Sequence, residues 1–357
     1  MIPTLARLAQ PWLNRLEPEV AHRAAISALK LAGGLPLPAR PHDERLRVKL
    51  FGLDFPNPLG LAAGFDKSAE ASAGLLALGF GFVELGTLTP RPQLGNPKPR
   101  LFRLSEDRAI VNRMGFNNDG YALAKQRLER ARPAGLVGVN FGPNKDASDR
   151  VADFVLGAQT FAPLADYLTI NISSPNTAGL RDLQRREALD GLIARVAEAR
   201  DAAPKRRPLL VKIAPDLDLR ELDDVCAVAI QRGADGLIIS NTTIQRPPGL
   251  VSPEASESGG LSGPPLLALS TRLLARAFLR CEGAIKLIGC GGVEGPESAL
   301  AKIEAGANLV QVYTGFVYRG PRLIAETLAG LAEAARPHGL AALVGGKARD
   351  YAAGAAD

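Results

Sequence analysis

From about residue 47 onward, short apolar runs alternate with segments of helical period. The runs cover 58–64, 82–89, 136–142, 167–173, 209–214, 236–242, 284–289 and 309–315. Each is six to eight residues rich in Val, Ile, Leu and Ala, the pattern of strands buried on both faces. Mixed Ala, Leu, Arg and Glu at helical spacing fill 68–78, 119–132, 149–165, 185–203, 219–232, 266–281, 295–305 and 321–336. Eight such βα units predict a parallel sheet closed into a (β/α)8 TIM barrel, an α/β fold. An open doubly wound sheet is the alternative, but it more often shows GxGxxG after its first strand. The nearest match here, Gly289-Cys290-Gly291-Gly292-Val293-Glu294-Gly295, is one residue out of register and late in the chain.

Residues 1–45 follow another pattern and read as a small N-terminal helical extension. Leu5, Leu8, Trp12, Leu13 and Leu16 fall at helical spacing around Pro11, and Glu19 to Ala32 reads as a second helix stopped by Gly33-Gly34 and Pro36. Residues 1–40 hold five Lys or Arg against two acids, half the net excess of the whole chain. Basic amphipathic helices with an interfacial Trp suit an anionic membrane surface; a helical hairpin packed on the barrel reads equally well from the same residues. The barrel is assigned to 46–338, with two long insertions. Residues 90–118 suggest a hairpin from 100–104 and 109–112, and 244–263 is rich in Pro, Ser and Gly, as active-site lids often are. Residues 339–357 read as a flexible Ala/Gly tail.

Composition narrows the chemistry. The chain has 357 residues, 46% hydrophobic and 22% charged, with a formal net charge of +6. No basic run is interleaved with aromatics, which argues against nucleic acid. Cys226, Cys281 and Cys290 are scattered without a CxxC, so no disulfide frame or zinc cluster is expected. The three histidines, His22, His42 and His338, leave the middle of the chain without a His-based metal site or triad. No run of 18 apolar residues and no secretory signal is evident.

Against this aliphatic background, strand after strand carries a polar residue near its C-terminal end: Glu84, Asn140, Asn171, Lys212, Asn241 and Gln311. Barrel interiors are usually branched aliphatics, and barrel enzymes work at the C-terminal ends of the strands. An unpaired buried amide costs roughly 1–3 kcal/mol, so a large polar ligand at the mouth is expected. The stretch Thr169 to Thr177 shows this best: a strand that runs into Asn171, Ser173, Ser174, Pro175 and Asn176. Lys212 has two readings, a Schiff-base lysine or a fixed cation beside an electron-rich cofactor such as a flavin. Glycines after the seventh strand, with Tyr313-Thr314-Gly315 after the eighth, occupy the usual phosphate position of barrels. One phosphate and a flat ring suggest FMN rather than a dinucleotide.

The segments 60–67 (GLAAGFDK), 112–118 (NRMGFNN), 171–176 (NISSPN), 212–215 (KIAP), 241–243 (NTT), 259–263 (GGLSG) and 289–292 (GCGG) together resemble dihydroorotate dehydrogenase. The resemblance spans about residues 45–335, and Ser174 with the N-terminal extension resembles class 2, the membrane-associated, quinone-reducing form. It implies oxidation of (S)-dihydroorotate to orotate with FMN as hydride acceptor and a membrane quinone as final acceptor, in pyrimidine synthesis. By resemblance Ser174 is the catalytic base, with Thr177 relaying its proton through a water. Substrate would meet Lys67, Asn112, Arg113, Met114, Gly115, Phe116, Asn171, Asn176, Asn241 and Thr242, with Arg113 and Met114 contributing through their backbone. FMN would meet Ala63, Gly64, Phe65, Asp66, Lys67, Thr87, Asn140, Asn171, Lys212, Ser240, Gly263, Gly292, Tyr313 and Thr314, no metal being implied. Asp66 reads equally as a helix cap, and Glu84 and Gln311 as internal hydrogen-bonding groups. His22 falls near the quinone entrance. The implied location is peripheral, at the cytoplasmic face of the inner membrane, without an obligate protein partner.

Two other enzymes compete. A class 1-type enzyme passing electrons to fumarate or NAD would carry cysteine at 174, and a hydroxy-acid oxidase would need a histidine base that 43–337 lacks. An inactive barrel serving as a scaffold would not need Lys212 in its interior.

Overall fold

The computed structural model describes residues 15–35, 43–336 and 338–354. The first expected helix, around Leu5 to Leu13, lies outside them. The second is α1 (Pro18–Gly33), opened by Pro18 in its first turn and by the Glu17 carboxylate, which accepts from Val20 N–H at 2.9 Å. Eight parallel strands close the barrel in the order β3 (Leu59–Leu61), β4 (Phe82–Leu88), β7 (Leu136–Phe141), β8 (Tyr167–Asn171), β9 (Leu209–Ile213), β10 (Gly236–Ile239), β12 (Lys286–Cys290) and β13 (Leu309–Val312), which returns to β3. The helices that follow them are α2 (Ser72–Ala77), α3 (Gly120–Arg130), α4 (Arg150–Phe161), α5 (Arg186–Asp201), α6 (Leu219–Gln231), α7 (Leu267–Cys281), α8 (Pro296–Glu304), then α9 (Thr314–Arg319) and α10 (Pro321–Ala334). The TIM barrel expected from the alternation is present, with each element within a few residues of its predicted span. The short helix α9 begins inside the span predicted for the eighth strand.

The two ends of the barrel are built differently. At the N-terminal end, the hairpin of β1 (Val48–Leu50) and β2 (Leu53–Phe55) contributes Leu50 and Phe55 to a cluster with Phe82, Tyr167, Leu210, Ile238 and Ile288. The rings of Phe82 and Tyr167 sit where side chains of Gly60 and Gly138 would otherwise stand. A Cβ on Gly138 would lie 2.0 Å from the Tyr167 ring, so that strand position requires glycine. The C-terminal end is roofed by a separate antiparallel sheet of β5 (Leu101–Leu104), β6 (Ala109–Asn112) and β11 (Gly260–Ser262), in the order β11-β6-β5. It joins the two long insertions, and side chains knit them further. Asp107 of the first accepts from the Val251 and Ser252 amides of the second, and within the second Arg246 donates to the carbonyls of Ala255, Glu257 and Gly259.

Helix α1 lies beside this roof. Ile26 and Leu29 are buried, each stabilising by roughly 1.5–3 kcal/mol. The contact with α2 is backbone-close, since a Cβ on Gly74 would fall 2.1 Å from the Leu29 carbonyl oxygen. Ion pairs Arg23–Glu70 at 2.6 Å and Arg100–Glu19 at 2.5 Å hold its polar edge. No helix among the described residues is long and apolar enough to cross a membrane.

One expectation is corrected. Residues 340–353, read as part of a flexible tail, fold back as a short turn and α11 (Ala348–Ala353), which packs on α7. Low side-chain volume, taken as a sign of fraying, is what permits close docking. Gly345 donates to the Ile303 carbonyl, Lys347 pairs with Glu304 at 3.0 Å, and Leu340 and Ala348 are buried.

Candidate active site

The polar residues picked out along the strands converge as two layers in the upper barrel. The lower layer is centred on Glu84, from the middle of β4. Its Oε1 accepts from Asn140 Nδ2 at 2.9 Å, and Oε2 accepts from Gln311 Nε2 at 2.9 Å, Tyr167 Oη at 3.1 Å and Thr169 Oγ1 at 3.2 Å. All five side chains are buried. The Tyr167 hydroxyl is held well above its ordinary pKa by burial and by the adjacent Glu84, so it remains a donor. Glu84 and Gln311, the internal hydrogen-bonding groups of the sequence reading, thus form a floor.

Above the floor is a cavity of about 710 Å3. All of the site residues expected from the sequence line it except Asp66, Arg113 and Asn140. Those three act from behind. Asp66 accepts from the amides of Ser68, Glu70 and Ala71, so it caps the turn before α2; burial raises its pKa while those amides oppose the shift. The Arg113 guanidinium points into the roof, pairing with Glu257 at 2.7 Å and lying 4.6 Å from the centre of the Phe102 ring. Asn140 accepts from Thr87 Oγ1 at 2.7 Å, and Thr87 Oγ1 in turn accepts from Asn171 Nδ2 at 2.8 Å, so Asn140 orients two lining residues and joins them to the floor.

One wall of the cavity is a chain of amides and hydroxyls. Asn171 Oδ1 accepts from Ser173 Oγ at 2.9 Å, and Ser173 Oγ accepts from Asn241 Nδ2 at 2.9 Å. Asn241 Oδ1 receives the Thr242 amide at 2.8 Å. Across from them, Asn176 Nδ2 donates to Asn112 Oδ1 at 3.3 Å, and Asn112 Nδ2 reaches the Gly260 carbonyl at 3.4 Å. Ser174 lies on the loop between, and its Oγ accepts from the Asn176 amide at 3.2 Å. Arg181 ties this loop down by donating to the Ser173 and Thr242 carbonyls while paired with Asp216 at 2.8 Å. Thr177, further along the same loop, is buried but does not line the cavity.

Two lysines face the cavity. Lys212, on β9, is buried and has no hydrogen-bond or ion-pair partner among the described residues. Lys67 donates to the Gly64 carbonyl at 2.5 Å, and burial lowers its pKa to about 8. Tyr313 Oη donates to the same carbonyl at 3.0 Å, and desolvation holds its phenol protonated. Another part of the lining is glycine-rich. Gly263 and Gly292 have φ of +102° and +81°, and a Cβ on Gly292 would stand 2.4 Å from Leu267 Cα. Thr314 Oγ1 donates to Ser262 Oγ at 2.8 Å beside them. The cavity then continues beneath α1, where Ala25, Leu29, Ala32 and Leu35 give it an apolar wall. His22 stands at the junction, its Nε2–H donating to the Phe65 carbonyl at 2.6 Å; burial lowers its pKa to about 3, so the ring is neutral.

A profile of the family described as dihydroorotate dehydrogenase matches residues 45–334. The chain belongs to the dihydroorotate dehydrogenase family. Among curated relatives, one from Bradyrhizobium sp. strain BTAi1 is 56% identical over 339 residues, covering 93% of this chain and 92% of its own. Another, from Brucella ovis, is 53% identical over 356 residues, covering 98% and 96%. Both are named dihydroorotate dehydrogenase (quinone). A crystal structure of DHODH from Eimeria tenella in complex with ferulenol superposes with a TM-score of 0.88 at 41% identity, over 93% of this chain and 96% of that one. Membership of the dihydroorotate dehydrogenase family makes this an oxidoreductase. Gln311, read from the sequence as an internal hydrogen-bonding group, also lines the cavity, as do Cys290, Gly291 and Ser262, which lie in the segments that carry the resemblance but are not assigned to the site from the sequence. Gln311 carried the available signal, an amide inside an apolar strand.

Proposed function

We propose that this protein oxidises (S)-dihydroorotate to orotate for pyrimidine synthesis, using non-covalent FMN and passing the electrons to a membrane quinone. The observation that carries the reading is Lys212, a buried cation with no protein partner among the described residues, facing a cavity that is also lined by Gly263, Gly291 and Gly292. An interior lysine without a counter-charge is costly unless a ligand supplies one. Gln311 Oε1, buried and without a partner on the same cavity, adds a second group awaiting a ligand. The residues therefore fit a flavin nucleotide, with Lys212, Asn171 and Thr87 toward the ring and Gly263, Gly292 and Thr314 toward the phosphate.

Bound FMN supplies a two-electron acceptor for the hydride that leaves C6 of the substrate. Ser174 Oγ takes the proton from C5, which leaves the C5=C6 double bond of orotate. A serine hydroxyl is a weak base, and the Asn176 amide directed at Oγ stabilises the charge that develops there as the hydroxyl gives up its own proton. Thr177 passes that proton outward through a water. Asn112, Asn176 and Asn241 hold the heterocycle, because each amide offers donors and an acceptor to a ring of alternating N–H and C=O groups. Lys67 pairs with the substrate carboxylate. The roof of β5, β6 and β11 keeps bulk water out while the hydride moves.

The apolar extension beneath α1 suits a quinone, whose ring and isoprenoid tail need an unhydrated path. Exposed Val20 and Leu31 on this helix, with Leu35 just beyond it, suit peripheral contact with an anionic membrane, at the cytoplasmic face of the inner membrane. The test is a steady-state assay with dihydroorotate and, in turn, quinone, fumarate and NAD. Purified protein should be yellow and should turn over with quinone alone. A colourless protein that FMN does not reconstitute, or faster turnover with fumarate or NAD, overturns the reading. Removal of residues 1–40 should abolish quinone reduction and vesicle binding while dihydroorotate still bleaches the flavin. Full quinone activity in the shortened chain would reject the role given to α1.

A further inference from the structure

Among the described residues the reaction leaves several buried cations unused; Arg100, Arg200 and Arg207 pair with carboxylates, and one lysine does not. Lys302, on α8, is fully buried, and no carboxylate pairs with it among the described residues. Its Nζ donates to Ser270 Oγ at 2.5 Å. Ser270, in the first turns of α7, has its Oγ 3.0 Å from the carbonyl oxygen of Gly291 and 2.8 Å from that of Leu266. Gly291 and Leu266 line the cavity at its glycine wall, and Gly292 is pressed against Leu267 at the start of the same helix. The ammonium therefore stands one hydroxyl behind the backbone that would face a phosphate. Its stem is fixed too, since Gly289 of β12 packs against Lys302 Cβ. Burial depresses the ammonium to about 7, as expected of a cation that lacks its anion.

We propose that Lys302, through Ser270, is a positioning residue for the flavin phosphate: it orders the Gly291-Gly292 backbone and places a positive charge behind it, selecting a phosphorylated flavin. The inference rests on the FMN reading above. A hydroxyl that accepts from an ammonium becomes a stronger donor, and with the carbonyls of Leu266, Leu267 and Gly291 all within 3.1 Å it ties the turn that presents the neighbouring amides to the start of α7. The charge itself acts across low-dielectric surroundings, where it is screened less than a surface lysine would be.

The measurement separates phosphate recognition from simple packing. The full chain, freed of flavin, is titrated with FMN and separately with riboflavin, following quenching of flavin fluorescence. Lys302→Met should weaken FMN binding by about tenfold while riboflavin affinity stays within about twofold, the scale of one charge-assisted contact. An equal loss for both flavins, or no loss for either, overturns the proposal, because a packing defect does not distinguish them. Should Lys302→Met not fold, Ser270→Ala decides: it keeps the cation but breaks the relay, and should weaken FMN by about threefold with riboflavin unchanged. An unchanged FMN-to-riboflavin ratio in Ser270→Ala would then reject the role. Failure of the unmodified chain to bind FMN would instead sink the cofactor reading, so the two failures are distinguishable.

Discussion

The floor and the cavity wall of this barrel are both buried and both polar, yet they are built on opposite terms. In the floor, one carboxylate receives four donors: Glu84 takes up Asn140, Gln311, Tyr167 and Thr169. Just above it, Lys212 has no partner among the described residues. A buried polar group that the protein satisfies serves the fold, and one it leaves open serves a ligand. Asn140 shows where the boundary runs, bonded to Glu84 on one side and to Thr87 on the other. Burial alone would not separate these groups, since all are removed from water.

The contrast predicts that substitutions in the upper layer cost chemistry, and those in the floor cost stability. The largest effect belongs to Ser174→Ala. Flavin reduction by dihydroorotate, followed by stopped-flow absorbance, should slow by about 10²–10⁴-fold, with FMN and substrate still bound. Unchanged reduction kinetics would remove Ser174 from its role. Next is Glu84→Ala, which leaves several buried donors unpaired and should destabilise by about 3 kcal/mol, more than a hundredfold in the folded-to-unfolded ratio. Urea unfolding that matches the unmodified protein would show that the floor is not structural. Lys212→Met reverses the pattern: reduction should fall about a hundredfold, as for loss of one preorganised electrostatic contact, while the flavin-free protein stays as stable or gains. Loss of stability with normal reduction would erase the distinction between the two layers.

Much of this is readable along the chain because both layers interrupt aliphatic strands. A strand buried on two faces tolerates Asn, Lys or Gln only where something answers them, so Asn140, Asn171, Lys212 and Gln311 stand out in the sequence alone. What the chain does not tell is direction. Asp66 lies between Phe65 and Lys67, which line the cavity, but its carboxylate turns to the amides of 68–71; one-dimensional order cannot say which way an alternate side chain points. Arg113 likewise sits beside Asn112 and Met114 yet reaches into the roof. Lys302 is less legible still, because lysine in an amphipathic helix normally reads as the solvated face. The helix α9 and the docked α11 are six residues each, too short to show a helical period of their own.

Lys67 gives a smaller effect, and one that tests the upper layer by pH. Desolvation lowers its ammonium to about 8, so in the free protein the charge is held below that pH and lost above it. The substrate carboxylate is ionised throughout this range, so only the protonated lysine attracts it. The KM for dihydroorotate should therefore be flat below about pH 7.5 and rise by about fivefold between about pH 8 and 9, following the fraction of lysine still charged. Lys67→Met should raise KM at neutral pH and abolish that rise. Glu84→Gln should keep the rise at an unchanged midpoint, because the floor shares no hydrogen bond with Lys67. A KM independent of pH across that range in the unmodified protein would mean that the upper layer recognises substrate through its amides alone.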